Sequence, residues 1–165
     1  MTRATERIEA SELRRVYSCF PSGVAAICAL DEHRVPTGMA VSSFTSVSLD
    51  PPLVSVSIQN TSTTWPVLAR AARLGVSVLA GDQHTHARSL ATKNGDRFVG
   101  LAWSATDRGA VVIDAAVAWL DCSLEAAYPA GDHRLVLLRV LACGGDAGRS
   151  PLVFHGSRFR SLTVD

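Results

Sequence analysis

Over most of the chain, apolar positions alternate with polar ones or run in short unbroken blocks. In "LVSVSI", Val54, Val56 and Ile58 fall on one side and Ser55 and Ser57 on the other, the period of a half-buried strand. The blocks "GVAAICAL" and "VSVLA" predict buried strands. Two long strands are predicted over "AVAWLDCSLEAAYPAGD" and "HRLVLLRVLACGG", joined at Pro129 to Asp132, and "PLVFHGSRFRSL" predicts a closing strand and turn. Helical spacing is confined to short pieces. Ser11 to Cys19 places Leu13, Val16 and Tyr17 on one side and stops at Pro21 and Gly23. A second helix is expected from Pro66 to Gly75, and a third through "QHTHARSLAT" with Asp82 as its N-cap. "GDRFVGLAWS" reads mostly as loop. Strands dominate without βαβ alternation, so an antiparallel barrel with peripheral helices is expected.

Composition narrows the picture. A chain of 165 residues, 47% hydrophobic and 19% charged, suits one folded domain, 1–165, with a real core. The net charge of +1 is scattered without a basic tract, which argues against nucleic acid as the main partner. No apolar run is long enough to span a membrane and "MTRATERIEASELRR" lacks the apolar core of a signal peptide, so a cytoplasmic protein is expected. Cys19, Cys28, Cys122 and Cys143 form no CxxC pair and read as reduced, mostly buried small hydrophobes. His84 and His86 are two apart and diverge on a helix, so no metal site is expected. Trp103 and Trp119 read as core.

The stretch "TGMAVSSFTSVSLDPPLV", from Thr37 to Val54, holds four serines and two threonines and stops at Asp-Pro-Pro. Small hydroxyl residues let a backbone approach a flat ligand and offer both donors and acceptors. "NTSTTWP" places Asn60, Thr61, Ser62, Thr63 and Thr64 before a helix start, either as a phosphate seat or simply as capping residues.

These motifs, with "STTWPVL", "VSVLAGDQ", "DRFVGLAW", "GDH" and "PLVFHGSRFRSL" in that order, resemble the short-chain flavin reductases, the NAD(P)H:flavin oxidoreductases that serve two-component monooxygenases. The resemblance covers the chain from about Val16 to Leu162. It implies a mainly β, FMN-binding split β-barrel of antiparallel Greek-key type with a few short helices, forming a homodimer. It implies FMN or FAD beside Met39, Ala40, Val41, Ser42 and Ser43, with Ser57, Ile58 and Gln59 flanking the ring and ribityl chain. Asn60, Thr61, Ser62 and Thr64 would hold the phosphate, and Asp50-Pro51-Pro52 would turn the chain so that two strands meet under the ring. His133 would lie beside the nicotinamide of NADH or NADPH, and Phe159 and Arg160 would help to cover it. Similar proteins often carry Phe-Ala where this chain has Leu90-Ala91.

The implied activity is hydride transfer from NAD(P)H to flavin, with reduced flavin passed to a separate monooxygenase. It needs no triad, metal or carboxylate pair, and none is evident in the sequence. The alternatives are a split-barrel oxidase that retains FMN and a flavin-binding protein without catalysis.

Overall fold

The computed structural model describes residues 8–162. Strands carry the architecture, as the alternating pattern predicts. The elements in chain order are α1 (Ala10–Tyr17), β1 (Ser22–Gly23), β2 (Ala25–Leu30), β3 (Pro36–Val41), β4 (Thr45–Leu49), β5 (Pro52–Gln59), α2 (Trp65–Leu68), β6 (Leu74–Val78) and α3 (His84–Ala91). They continue with β7 (Trp103–Ala105), β8 (Val111–Ile113), β9 (Ala118–Ala130), β10 (His133–Gly145), β11 (Val153–His155) and β12 (Arg158–Arg160).

Seven strands form one antiparallel sheet in the order β3-β2-β6-β9-β10-β5-β4. The sheet rolls into a split barrel. Ser43, just past the β3 edge, reaches β5 at the other end of the order, where its hydroxyl bonds the Ser57 backbone. Inside the roll, Val54, Val56 and Ile58 of β5 pack with Ile27, Val76, Val136 and Leu138. β2 is buried on both faces. Ala26 and Cys28 turn outward into a second cluster with Leu79, Leu90 and Leu152, which seats α3 and the β11–β12 hairpin on the barrel wall. Burying such side chains contributes roughly 1.5–3 kcal/mol each.

Several expectations are corrected. The second helix is a single turn ending at Leu68, and Gly75 lies inside β6. A Cβ at Gly75 would overlap the Val111 backbone, so the glycine serves a close strand crossing and not a helix end. Asp82 does not cap α3. Gln83 occupies that position, and Asp82 instead receives the Arg149 guanidinium at 3.1 and 3.3 Å. Part of "GDRFVGLAWS" is strand, because Trp103–Ala105 pairs with β8. The turn between the long strands is only Gly131-Asp132, with Pro129 inside β9 opposite Arg134. Gly131 takes φ +66°, the conformation a tight hairpin needs at its first central residue.

Cys28 and Cys122 are buried, but Cys19 and Cys143 are exposed; all four are free. Trp119 is 37% exposed and lies against Gly144, which leaves no room there for a Cβ, whereas Trp103 is half-buried against the edge of Phe98. No helix among the described residues is long and apolar enough to cross a membrane.

Candidate functional site

The open seam of the barrel is a cleft of about 690 Å³, within the range of small-molecule sites. Met39, Ala40, Val41, Ser42 and Ser43 form one wall, and Ser57, Ile58 and Gln59 the facing one. Thr61, Ser62, Thr63 and Thr64 close one end, Leu90 and Ala91 of α3 cover another side, and His133 stands at the rim.

Each wall has a local cause. β3 is an edge strand, paired only with β2, so the backbone that continues into Ser42 and Ser43 borders open space. Period-two alternation turns Ile58 inward while Ser57 and Gln59 face out. The Ser43 hydroxyl accepts the Ser57 N–H at 2.9 Å and donates to the Ser57 carbonyl at 3.0 Å. That hydroxyl is therefore committed to closing the seam, while Ser42, Thr61 and Thr63 have no side-chain hydrogen bond among the described residues.

The polar end of the cleft is cationic. Arg97 donates from one nitrogen to the Gly38 carbonyl at 2.9 Å and to the Thr64 hydroxyl at 2.7 Å, tying β3 to the start of α2. Lys93 lines the same cleft and no carboxylate does. Neither cation was singled out in the sequence: both lie in the irregular segment after α3, and only the folded chain brings them to Thr64. α2 has a single turn, so its dipole is slight, and any attraction for an anion at this end comes from the hydroxyls and the two cations. The capping reading also holds, because Ser62 Oγ accepts the Trp65 N–H at 3.1 Å.

His133 begins β10, paired with Gln59 on one side and Ala130 on the other. Its Nδ1 lies 2.6 Å from Asp132 Oδ1. The contact to His133 holds the exposed Asp132 carboxyl below its ordinary value. This orients the ring and leaves Nε2 for a ligand.

Three expected site residues lie elsewhere. Asn60 is not in the cleft wall. Its N–H donates to the Asp132 carbonyl at 2.9 Å and its side-chain amide to the Gly131 carbonyl at 3.2 Å, so it braces the turn that carries His133. Phe159 and Arg160 line a separate cleft beside α3. The cis Asp50-Pro51 bond and Pro52 form the β4–β5 turn, at the opposite end of β5 from Ser57–Gln59 and so not under a ring bound in the cleft.

Residues 17–163 match the family described as flavin reductase like domain. The chain belongs to that family. A flavin reductase from Pseudomonas putida is 39% identical over 148 residues, 90% of this chain and 87% of the relative. The reductase subunit HsaB of a flavin-dependent monooxygenase from Rhodococcus jostii is 32% identical over 162 residues, 98% of this chain and 83% of the relative. Among solved structures, the NADH:FAD oxidoreductase SgcE6 of Streptomyces globisporus, in complex with NAD and FAD fragments, superposes with a TM-score of 0.89 at 34% identity, covering 98% of this chain and 99% of that one.

The flavin reductase cleft fits a flavin on its own chemistry. Met39 and Ala40 offer half-buried apolar surface to a ring, the β3 backbone and Ser42 offer hydrogen-bonding groups, and Thr61–Thr64 with Lys93 and Arg97 form a cationic hydroxyl arc that suits a phosphate. Leu90 is fully buried in the second core cluster, so where similar proteins often carry an aromatic this chain turns no stacking face to the cleft.

Proposed function

We propose that this protein is an NAD(P)H-dependent flavin reductase that takes FMN or FAD and supplies the reduced flavin to a partner monooxygenase. The observation that carries the reading is the seam cleft itself. It holds an apolar slot, a cationic hydroxyl arc at one end and His133 at the rim, but no nucleophile with an activating base.

When a flavin and a reduced nicotinamide are both present, the cofactors themselves carry the hydride transfer, and the protein supplies position. Arg97, Lys93 and the hydroxyls of Thr61–Thr64, which line one end of the cleft, would hold a phosphate there. Met39–Val41 would border the ring along the β3 edge. His133, oriented by Asp132, positions the nicotinamide on the open side. The cleft opens to solvent along the seam, which suits a flavin that enters oxidised and leaves reduced.

A second copy of the chain belongs to this reading. Tyr17 and Phe20 are 68% and 78% exposed, an apolar face that a single chain leaves bare. Light scattering that returned a monomer at micromolar concentration would remove this part.

The deciding experiment is anaerobic bleaching of FMN, FAD or riboflavin by NADH or NADPH. Protein-dependent bleaching supports the reductase. Flavin binding without bleaching by either donor would refute it, and would indicate a carrier or an oxidase with another reductant.

A further inference from the structure

The chain contains fifteen arginines and a single lysine, and that lysine, Lys93, lines the seam cleft. Either residue type supplies a positive charge. Only the lysine amine can act as a nucleophile, because a guanidinium stays protonated. Arg97 meets the same end of the cleft with a guanidinium. Lys93 is thus the only side-chain amine of the molecule, and it stands among groups that attract anions.

The fold fixes where that amine stands. α3 ends at Ala91, and Thr92 turns the backbone extended, with ψ 147°, while its hydroxyl donates to the Ser89 carbonyl at 2.8 Å. Beyond Lys93 the chain is anchored again. Phe98 is buried in the second core cluster, and its N–H donates to Asp96 Oδ1 at 2.8 Å. Between these anchors Lys93 is exposed and Arg97 is half-buried, with its guanidinium 2.7 Å from the Thr64 hydroxyl. Among the described residues Lys93 has no carboxylate within ion-pair distance, so no partner draws the amine out of the cleft.

We propose that Lys93 is a modification site for acyl phosphates: Arg97 and the hydroxyls of Thr61–Thr64 seat the phosphate, and the Lys93 amine takes the acyl group. The nitrogen attacks the acyl carbon and a C–N bond forms. The bond from that carbon to the phosphate oxygen breaks, and inorganic phosphate leaves with the electron pair and with the proton the nitrogen gives up. The acyl phosphate is already activated, so the step needs no further reactant. Seating its phosphate raises the effective concentration of the acyl carbon at the amine. The product is an uncharged amide, so the arc loses one of its two cations and holds a flavin phosphate less well. The proposal rests on the anion seat of the reductase reading and not on the reduction itself.

The test uses acetyl phosphate at pH 8, with peptide mass spectrometry to follow each amine. An α-amino group is less basic than a lysine side chain, so unguided acylation at this pH favours the chain's α-amino group. Seated acylation reverses that order, and Lys93 is expected to react about tenfold faster than the α-amino group. Inorganic phosphate and FMN are expected to slow the reaction at Lys93 alone. Acetic anhydride, which has no phosphate, is expected to show no preference for Lys93. Arg97→Met is expected to slow labelling by acetyl phosphate and not by the anhydride. The acetylated native protein is expected to bind FMN about tenfold more weakly, with riboflavin unaffected, and the FMN affinity of Lys93→Arg is expected not to change on the same treatment. An α-amino group that reacts as fast as Lys93, or labelling of Lys93 that inorganic phosphate does not slow, overturns the inference. Such a result in a protein that still reduces FMN leaves the reductase standing. Selective, phosphate-protected labelling in a protein that reduces no flavin upholds the site and refutes only the reductase.

Discussion

The Ser43 hydroxyl and the Ser57 backbone exchange two hydrogen bonds, of 2.9 and 3.0 Å, across the open seam between the β3 edge and β5. The hydroxyl takes both backbone groups of Ser57 at a point where β4 no longer runs alongside, since its pairing with β5 begins at Ser55. Ser43→Ala removes both bonds and leaves those groups to water. Stability is expected to fall by about 1 kcal/mol, because the site is partly exposed, and FMN affinity to fall severalfold as the slot loosens. Urea unfolding and flavin fluorescence measure the two effects, and Ser43→Thr should restore both.

Arg97 separates phosphate recognition from ring recognition. Its bonds to Gly38 and Thr64 place a cation beside the hydroxyl arc. Arg97→Met is expected to weaken FMN about tenfold while riboflavin, which has no phosphate, is held as before. Equal losses for both flavins in a titration would show that Arg97 acts only by bracing β3.

His133→Ala is expected to raise KM for the nicotinamide donor with FMN binding retained, and Asp132→Ala to do the same more weakly by freeing the ring. The carboxyl of Asp132 is held below its ordinary value of 3.8, chiefly by its hydrogen bond to His133. Its contribution to stability is therefore present above that pH and is lost as pH falls through the lower folded value. A comparison of native protein and D132A should show the difference at neutral pH and its disappearance in acid unfolding.

The four cysteines divide in two. Burial pushes the Cys28 and Cys122 thiols up to about 12. In the native protein a thiol reagent at pH 8 should modify Cys19 and Cys143 quickly and the other pair only on unfolding. The raised values also carry a sign. An unfolded thiol ionises near 9.0 and the buried ones do not, so stability from this source is full below pH 9 and declines toward pH 12. Four equally reactive thiols at pH 8 would contradict the burial of Cys28 and Cys122.

Much of the fold was legible because strand alternation is local. Val54, Val56 and Ile58 face the core as their spacing predicts. The misreadings arose where the deciding partner is distant in sequence. Gly75 looks like a helix end until Val111 crosses it, and Asp82 looks like a cap until Arg149 takes it. The cleft walls at Met39–Ser43 and Ser57–Gln59 were found through the resemblance. Lys93 and Arg97 were not, since a charged residue in a polar loop carries no local sign of what it will face. Asn60 lies outside the cleft wall for the converse reason: its partners, Gly131 and Asp132, belong to a turn made much later in the chain.

The charge placement has a kinetic side. The molecule is nearly neutral at +1, yet Lys93 and Arg97 stand at one cleft and Arg88, Arg158 and Arg160 at the next, with no acidic side chain lining either. A near-neutral body with cations gathered at two clefts draws phosphorylated molecules toward them before any contact is made. The pull reaches only about 8 Å at physiological ionic strength and lengthens as salt is removed. Encounter, more than holding, is then the step that added salt slows.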